Sequence, residues 1–374
     1  MRLRWFLLLL AAGVAATAFL PAAPTAVSAS PRWQVHEPIV HSNLALFPVT
    51  SAAAHSSAAY ITLDDGLRAG EVEVRELGAG LIRRRPGMPR PDRARVNTLA
   101  LVNHSPKALL LLAGEIVTGG KQDRVIAKDR LVPAGADPLP LDVFCVERGR
   151  WHGASLAFTG TGLMAAPRVR EKAAVAKTQQ EVWLATDAVR EGVVGGVPTG
   201  TLRASTSYAQ LERAPALRRK IDQASADLQR EYERALRGAL RGKNVVGVVV
   251  AINGEVVWAD LFADANLFER YWSKLLRSYV VEALSLPVLE HARAARADAE
   301  RFLDQQQGRQ IIEVEPDEYR LRQIDHPRYT VFELISLLEQ GEPLLHFSKL
   351  RKNTIPSRKP RPRPLPLPVP QPPR

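Results

Sequence analysis

An α+β fold is predicted for this chain: a β-rich half over residues 33–151, forming a sandwich or partly closed barrel, then a helix-rich half over residues 152–342. Three observations carry that expectation. Across the first half, short apolar or alternating runs recur between Pro, Gly and Asn, the pattern of strands joined by turns. From Arg168 onward the composition turns to Ala, Lys, Gln and Arg, and Leu217, Ile221, Leu228, Leu236 and Leu240 recur at roughly helical spacing. Within that half, Asn253-Gly254 separates two apolar runs, a strong short hairpin signal.

Taken in order, Arg2 and Arg4 precede an apolar stretch over residues 5–20 and a small-residue segment over 21–30. That is the plan of a secretory signal peptide, assigned to residues 1–29 with cleavage after Ala29, and an uncleaved membrane anchor is the alternative. The expected location is therefore outside the cytoplasm, periplasmic or extracellular. Residues 33–49 read as short extended pieces bounded by Pro38 and Pro48, and 60–63 as another strand. Asp64-Asp65 then caps a short helix around 66–70. Residues 71–77 alternate charged and apolar, a half-buried strand, and 83–95 form an Arg/Pro-rich loop. Apolar runs 96–102 and 109–116 flank a turn at Asn103–Pro106 and predict a hairpin, and 124–132 and 139–146 predict two further strands.

In the second half, helices are expected over 168–190, 214–241, 266–283 with Asn266 as cap, and from Ser285 and Pro287 to about 307. The hairpin at Asn253 lies between the second and third of these. Short terminal strands follow at 311–314, 319–322 and 330–337. Residues 343–374 are assigned to a basic, Pro/Arg-rich tail that is extended and unable to build helix or sheet from Arg358 onward. Such a tail is either merely solvated or a tether to an anionic surface or a polyproline-binding partner.

The net charge of +12 resembles a nucleic-acid footprint until it is located. Eight basic residues and no acidic one follow Glu342, and Arg2 and Arg4 add two more. Removing these ten leaves about +2 for the body, so no specific nucleic-acid binding is expected. Cys145 is the only cysteine, which excludes an intramolecular disulfide, and its neighbours Val143, Phe144 and Val146 place it in a buried strand. The histidines are scattered, with no HExxH and no cysteine pair, so no zinc pattern is present, and no motif names a cofactor.

Two apolar runs end in bursts of charge. The first leads to Glu115, then Gly119-Gly120, Lys121, Gln122 and Arg124; the second leads to Glu147, Arg148, Arg150 and Trp151. A phosphate-loop reading of Gly120-Lys121 fails, because Glu115 stands where that motif needs glycine and Gln122 where it needs Ser or Thr. What remains is a glycine turn beside cations, which can bind an anion through exposed amides. Glu115 follows six small or apolar residues, so its carboxylate either pairs with a cation, Lys121, Arg124, Arg148 or Arg150, or has a raised pKa. In the ligand reading, Lys121, Gln122, Arg124, Arg148 and Arg150 hold a phosphate or carboxylate, Trp151 stacks on a planar group, and Glu115 or Glu147 serves as base. The same charges can equally lock two strand ends together.

The segments AGEIVTGGKQDRV (113–125) and VFCVERGRW (143–151) resemble the ARG and rhodanese-phosphatase-superfamily-associated protein family, type one, a domain of unknown function. Gln179-Gln180-Glu181-Val182-Trp183 and residues 251–279 are similar to it as well. The likeness spans about residues 33–284 and leaves out the leader and the tail. The family is associated with ADP-ribosylglycohydrolase and rhodanese-like phosphatase proteins. The resemblance therefore implies chemistry around nucleotide- or ADP-ribose-like ligands at Glu115, Lys121, Gln122, Arg124, Glu147, Arg148, Arg150 and Trp151, without assigning a reaction. Three functions stay open: binding of a small anionic ligand, hydrolysis with Glu115 or Glu147 as general base, and a structural or envelope-interaction role.

Overall fold

A computed structural model describes residues 33–53, 55–77, 97–147, 156–194 and 207–352. The expected leader, the Arg/Pro-rich loop at 83–95 and the proline-rich stretch from 358 onward lie outside them. The first described half contains β1 (Trp33–Val35), β2 (Ile39–His41), β3 (Leu44–Ser51), β4 (Tyr60–Thr62), α1 (Leu63–Ala69), β5 (Val72–Glu76), β6 (Thr98–Asn103) and β7 (Ala108–Leu111). It continues with β8 (Glu115–Gly119), β9 (Arg124–Ile126), β10 (Arg130–Val132), β11 (Ala136–Cys145) and β12 (Ala157–Met164). The second half has α2 (Pro167–Glu171), a π-helical turn (Lys172–Ala176), α3 (Gln179–Val194), α4 (Tyr208–Arg213) and α5 (Pro215–Arg237). Then come β13 (Val245–Ile252), β14 (Glu255–Phe262), α6 (Ala265–Leu284), α7 (Arg296–Asp304), β15 (Arg309–Glu315), β16 (Tyr319–Asp325), β17 (Tyr329–Ser336) and β18 (Leu344–Arg351).

The predicted class holds: the protein is α+β, and its β-rich first half contains a closed six-stranded barrel, ordered β11-β6-β5-β12-β8-β9. A three-stranded sheet, β10-β7-β4, lies beside it in the topology, and a nine-stranded sheet runs β1-β3-β13-β14-β18-β17-β16-β15 with β2 on β3. The large sheet thus joins three strands of the first half, β1, β2 and β3, to the second half through the pairing of β3 with β13.

The β13 run, VVGVVVAI, is apolar throughout because both of its faces are covered. Val248, Val250 and Ile252 pack with Leu267, Phe268, Tyr271 and Leu275 of α6, while Val249 and Ala251 pack with Ala299 and Leu303 of α7. The Asn253-Gly254 turn joins β13 to β14 as expected, with φ of 50° and 77°, the positive pair that a type I′ turn requires. In the barrel, period two directs Val72 and Val74, Leu99 and Leu101, Val117, Ile126, Leu141 and Val143, and Phe158 into one inner core.

Several local expectations give way to tertiary contacts. The runs around Asn103–Pro106 do not form a hairpin: β6 pairs with β5 and β11, and β7 with β4 and β10. The Asn103 side-chain amide stitches this corner instead, donating to the carbonyls of Lys107 at 3.0 Å and Pro133 at 2.9 Å. Helix 168–190 is broken by the π turn and by Lys177 at φ 53°. Helix α6 is capped by Asp264, which accepts from Leu267 N–H at 2.7 Å, rather than by Asn266.

The helix expected from Ser285 shrinks to α7. Asn253 ties down the preceding segment by donating to Pro287 O at 3.0 Å and accepting from Leu289 N–H at 3.0 Å. Strand β12 was hidden by its glycines. Strand β18 lies inside the stretch assigned to the tail, since two of its basic residues are buried: His346 is ion-paired, and Lys349 caps α7 by donating to the carbonyls of Phe302 and Gln305.

Candidate functional site

One end of the barrel is polar. Directly opposed residues of an antiparallel pair share a face, and Arg124 is opposed by Val117 on one side and Cys145 on the other. Val117 belongs to the inner core, so Arg124 and Cys145 continue the inward-facing row beyond Ile126 and Val143. Glu76 continues the inward row of Val72 and Val74 in the same way. Arg124, Glu76 and Glu147 all act electrostatically on the Cys145 thiol; burial pushes that thiol up to about 11, with Arg124 pulling the other way.

Hydrogen bonds fix the cluster. Gln122 Oε1 accepts from Arg124 Nη1 at 3.2 Å and from Cys145 Sγ at 3.0 Å, and Gln122 Nε2 donates to Glu147 O at 3.0 Å. Asp123 N–H donates to Glu147 Oε2 at 3.2 Å, and Ser207 Oγ donates to Asp123 Oδ2 at 2.6 Å. Gln179, at the start of α3, clamps the backbone of Cys145 from both sides at 2.9 and 2.8 Å. At the glycine turn, Lys121 N–H donates to Glu76 Oε1 at 2.9 Å, and a side chain on Gly120 (φ 50°) would collide with Phe158 and Glu76. Arg124 is only 1% exposed, yet its other contact is a marginal 3.5 Å approach to Asp123 O, and its Nε has no hydrogen-bond partner. Among the described residues, this guanidinium is buried without an ion pair.

Glu115 belongs to a different network. It opens β8, and its Oε2 accepts from Leu112 N–H at 2.7 Å while its Oε1 receives Lys274 Nζ of α6 at 2.5 Å. The same ammonium reaches Asp64 Oδ2 at 2.6 Å and lies 4.5 Å from the Tyr271 ring centroid. Burial raises the Glu115 pKa against the pull of Lys274. Beside it, Ala113 N–H donates to Asp129 Oδ1 at 2.7 Å, and Ala113 O accepts from Arg170 Nε at 3.2 Å. Arg170 forks onto Asp260 at 2.9 Å twice, and His346 bridges Asp129 at 2.6 Å and Asp260 at 3.2 Å. Burial disfavours the charge on His346, but the two carboxylates outweigh it and lift its pKa to about 9. Every ionic group of this second network meets a partner of opposite charge, as a fold-locking arrangement requires.

A family model for the ARG and Rhodanese-Phosphatase-superfamily-associated Protein domain, ARPP-1, matches residues 32–348. The chain belongs to this family. The ARPP-1 match takes in the barrel, the helices and nearly all of the large sheet, ending within β18. No curated protein matches the chain. No solved structure matches it either.

Of the residues singled out in the ARPP-1 sequence, the structure brings Gln122, Arg124 and Glu147 together at the barrel end, with Lys121 entering through its backbone. Glu115 is not held by Lys121 or Arg124; its partner is Lys274, far away in sequence. Arg148, Arg150 and Trp151 lie outside the described residues. Sequence reasoning missed Glu76, Asp123, Gln179 and Ser207 as members of the cluster. For Glu76 a signal existed, a carboxylate in register with Val72 and Val74. For Lys274, one charge on an apolar helix face, no local signal named Glu115.

Proposed function

We propose that this ARPP-1 domain is exported and binds a small anionic ligand, of nucleotide, ADP-ribose or phosphate type, at the polar end of its barrel. The observation that carries the reading is Arg124. A buried guanidinium costs several kcal/mol of desolvation unless an anion meets it, and here Nη1 is taken by Gln122 while Nε has no partner. A guanidinium with an unused N–H donor can add a charge-assisted hydrogen bond to a phosphate or carboxylate. The Gly119-Gly120 turn supports the reading by bringing main chain against the same end, with φ of 129° and 50°. Mouths of β-barrels are common ligand sites. Lys121, Arg148, Arg150 and Trp151 are the further groups the proposal assigns to the ligand.

Export rests on Arg2, Arg4 and the apolar stretch after them, and the proline-rich tail would serve outside the cytoplasm as a tether. The hydrolase alternative loses Glu115 as its base, since both carboxylate oxygens are already engaged, Oε1 by Lys274 Nζ and Oε2 by Leu112 N–H.

The test is a thermal-shift and calorimetric screen with inorganic phosphate, nucleotides and ADP-ribose, on the wild type and on Arg124→Met. A ligand at about 100 times its Kd stabilises the fold by roughly 2.7 kcal/mol. The expected result is a shift in the wild type that the variant loses while staying folded. Absence of any shift with every anion refutes the proposal.

A further inference from the structure

The nine-stranded sheet ends on one side in β1, a three-residue strand packed beside α7, and on the other in β15. Short strands, prolines, lysines and bulges are the usual protections of a sheet edge. Strand β15 has none of them. Its seven residues, RQIIEVE, pair with β16 without a register shift, and among the described residues its other edge pairs with no strand. Ile311, Ile312 and Val314 are 40%, 56% and 51% exposed, Ile312 and Val314 on one face of this regular edge and Ile311 on the other, between Arg309 and the carboxylates of Glu313 and Glu315.

The order of residues along the strand points to one occupant. It is basic at its start, apolar in its centre and acidic at its end, so it complements itself when reversed. We infer that β15 is a self-association edge, on which β15 of a second copy of this chain pairs antiparallel about a two-fold axis. Opposed residues in such a pair share a face, so the axis must pass through a residue and not between two. Centred on Ile312, the pairing sets Ile312 against its counterpart, Arg309 against Glu315 of the second copy, and Gln310 against Val314. Centred on Glu313, it would set two carboxylates face to face, which is unfavourable. The Ile312 register also leaves Glu313 with its existing partners, Lys128 Nζ at 2.5 Å and Tyr319 OH at 3.2 Å. The result is one continuous sheet across two molecules. It is independent of the reading of Arg124.

The full-length protein is examined by sedimentation velocity from about 1 to about 300 μM, the range in which a contact of this small size is expected to saturate. The expected result is a dimer fraction that rises with concentration, and a dissociation constant at least about tenfold weaker in Ile312→Lys, which sets two ammonium groups on the axis. Circular dichroism and melting temperature of the variant stay at wild-type values, because residue 312 is exposed. Arg309→Glu and Glu315→Arg each weaken self-association, and mixing the two variants restores a dimer that contains one of each. A monomer throughout the range overturns the inference, as does a dimer that Ile312→Lys leaves unchanged or a mixture that fails to re-associate.

Discussion

Replacing Arg124 by methionine is expected to leave the unliganded protein as stable as the wild type, or more stable by up to about 2 kcal/mol. The magnitude follows from what Arg124 touches. Its one good hydrogen bond, 3.2 Å to Gln122 Oε1, contributes roughly 1.5–3 kcal/mol as a charge-assisted bond. Against that stands the desolvation of a guanidinium that is 1% exposed and has no ion pair among the described residues, a cost of several kcal/mol. The truncation orphans no acceptor. Gln122 Oε1 keeps the Cys145 thiol at 3.0 Å, and Asp123 O keeps Val146 N–H at 3.1 Å. Methionine fills a comparable length of the inward row with apolar atoms. Urea denaturation at neutral pH reads the difference directly as a change in midpoint at constant m. A loss of about 3 kcal/mol or more, the cost of breaking a buried ion pair, refutes the reasoning and makes Arg124 a structural cation.

Three further outcomes follow from the paired networks. Lys274→Met leaves Glu115 and Asp64 without their shared ammonium and is expected to cost about 3–5 kcal/mol at neutral pH. Burial already holds the Glu115 pKa above its ordinary 4.5, so ionising it in the folded state opposes stability as pH rises; urea midpoints should show the Lys274→Met deficit shrinking below that pH and growing above it. His346, raised from 6.5 to about 9, contributes stability that is full below 6.5 and lost as pH climbs through 9, on the order of 3 kcal/mol. The difference in unfolding free energy between wild type and His346→Gln, measured from pH 6 to pH 10, should fall across that window, and a flat difference counts against the charged bridge. Gly114→Ala, at φ 97° with its new Cβ about 2.3 Å from Arg170 Cγ, should cost at least about 2 kcal/mol by displacing Arg170 from Asp260; a melting temperature within error of the wild type would show that the turn yields instead.

Legibility tracked how local each cause was. The Asn253-Gly254 turn and α5 were readable because backbone conformation and amphipathic spacing act within a few residues. The corner at Asn103 was not, since β6 and β7 are both apolar but join different sheets, β6 between β5 and β11 in the barrel and β7 between β4 and β10 in the three-stranded sheet. Nor was β18: His346 and Lys349 look like solvated tail charges until Asp129, Asp260 and the end of α7 receive them.

The candidate site divides along the same line. The sequence by itself determined that charge gathers after two apolar strands, that Gly119-Gly120 makes a turn, and that Cys145 is buried, because alternation, glycine and hydrophobicity act within one strand. Only the tertiary structure decided the pairing of those charges. Barrel registry, set between strands distant in sequence, puts Arg124 with Gln122, Cys145 and Glu147 and leaves its Nε open. Helix α6 reaches across from the second half to take Glu115 for itself. A long-range contact carries no local periodicity, and so the partner of a buried charge is known only once the chain has closed around it.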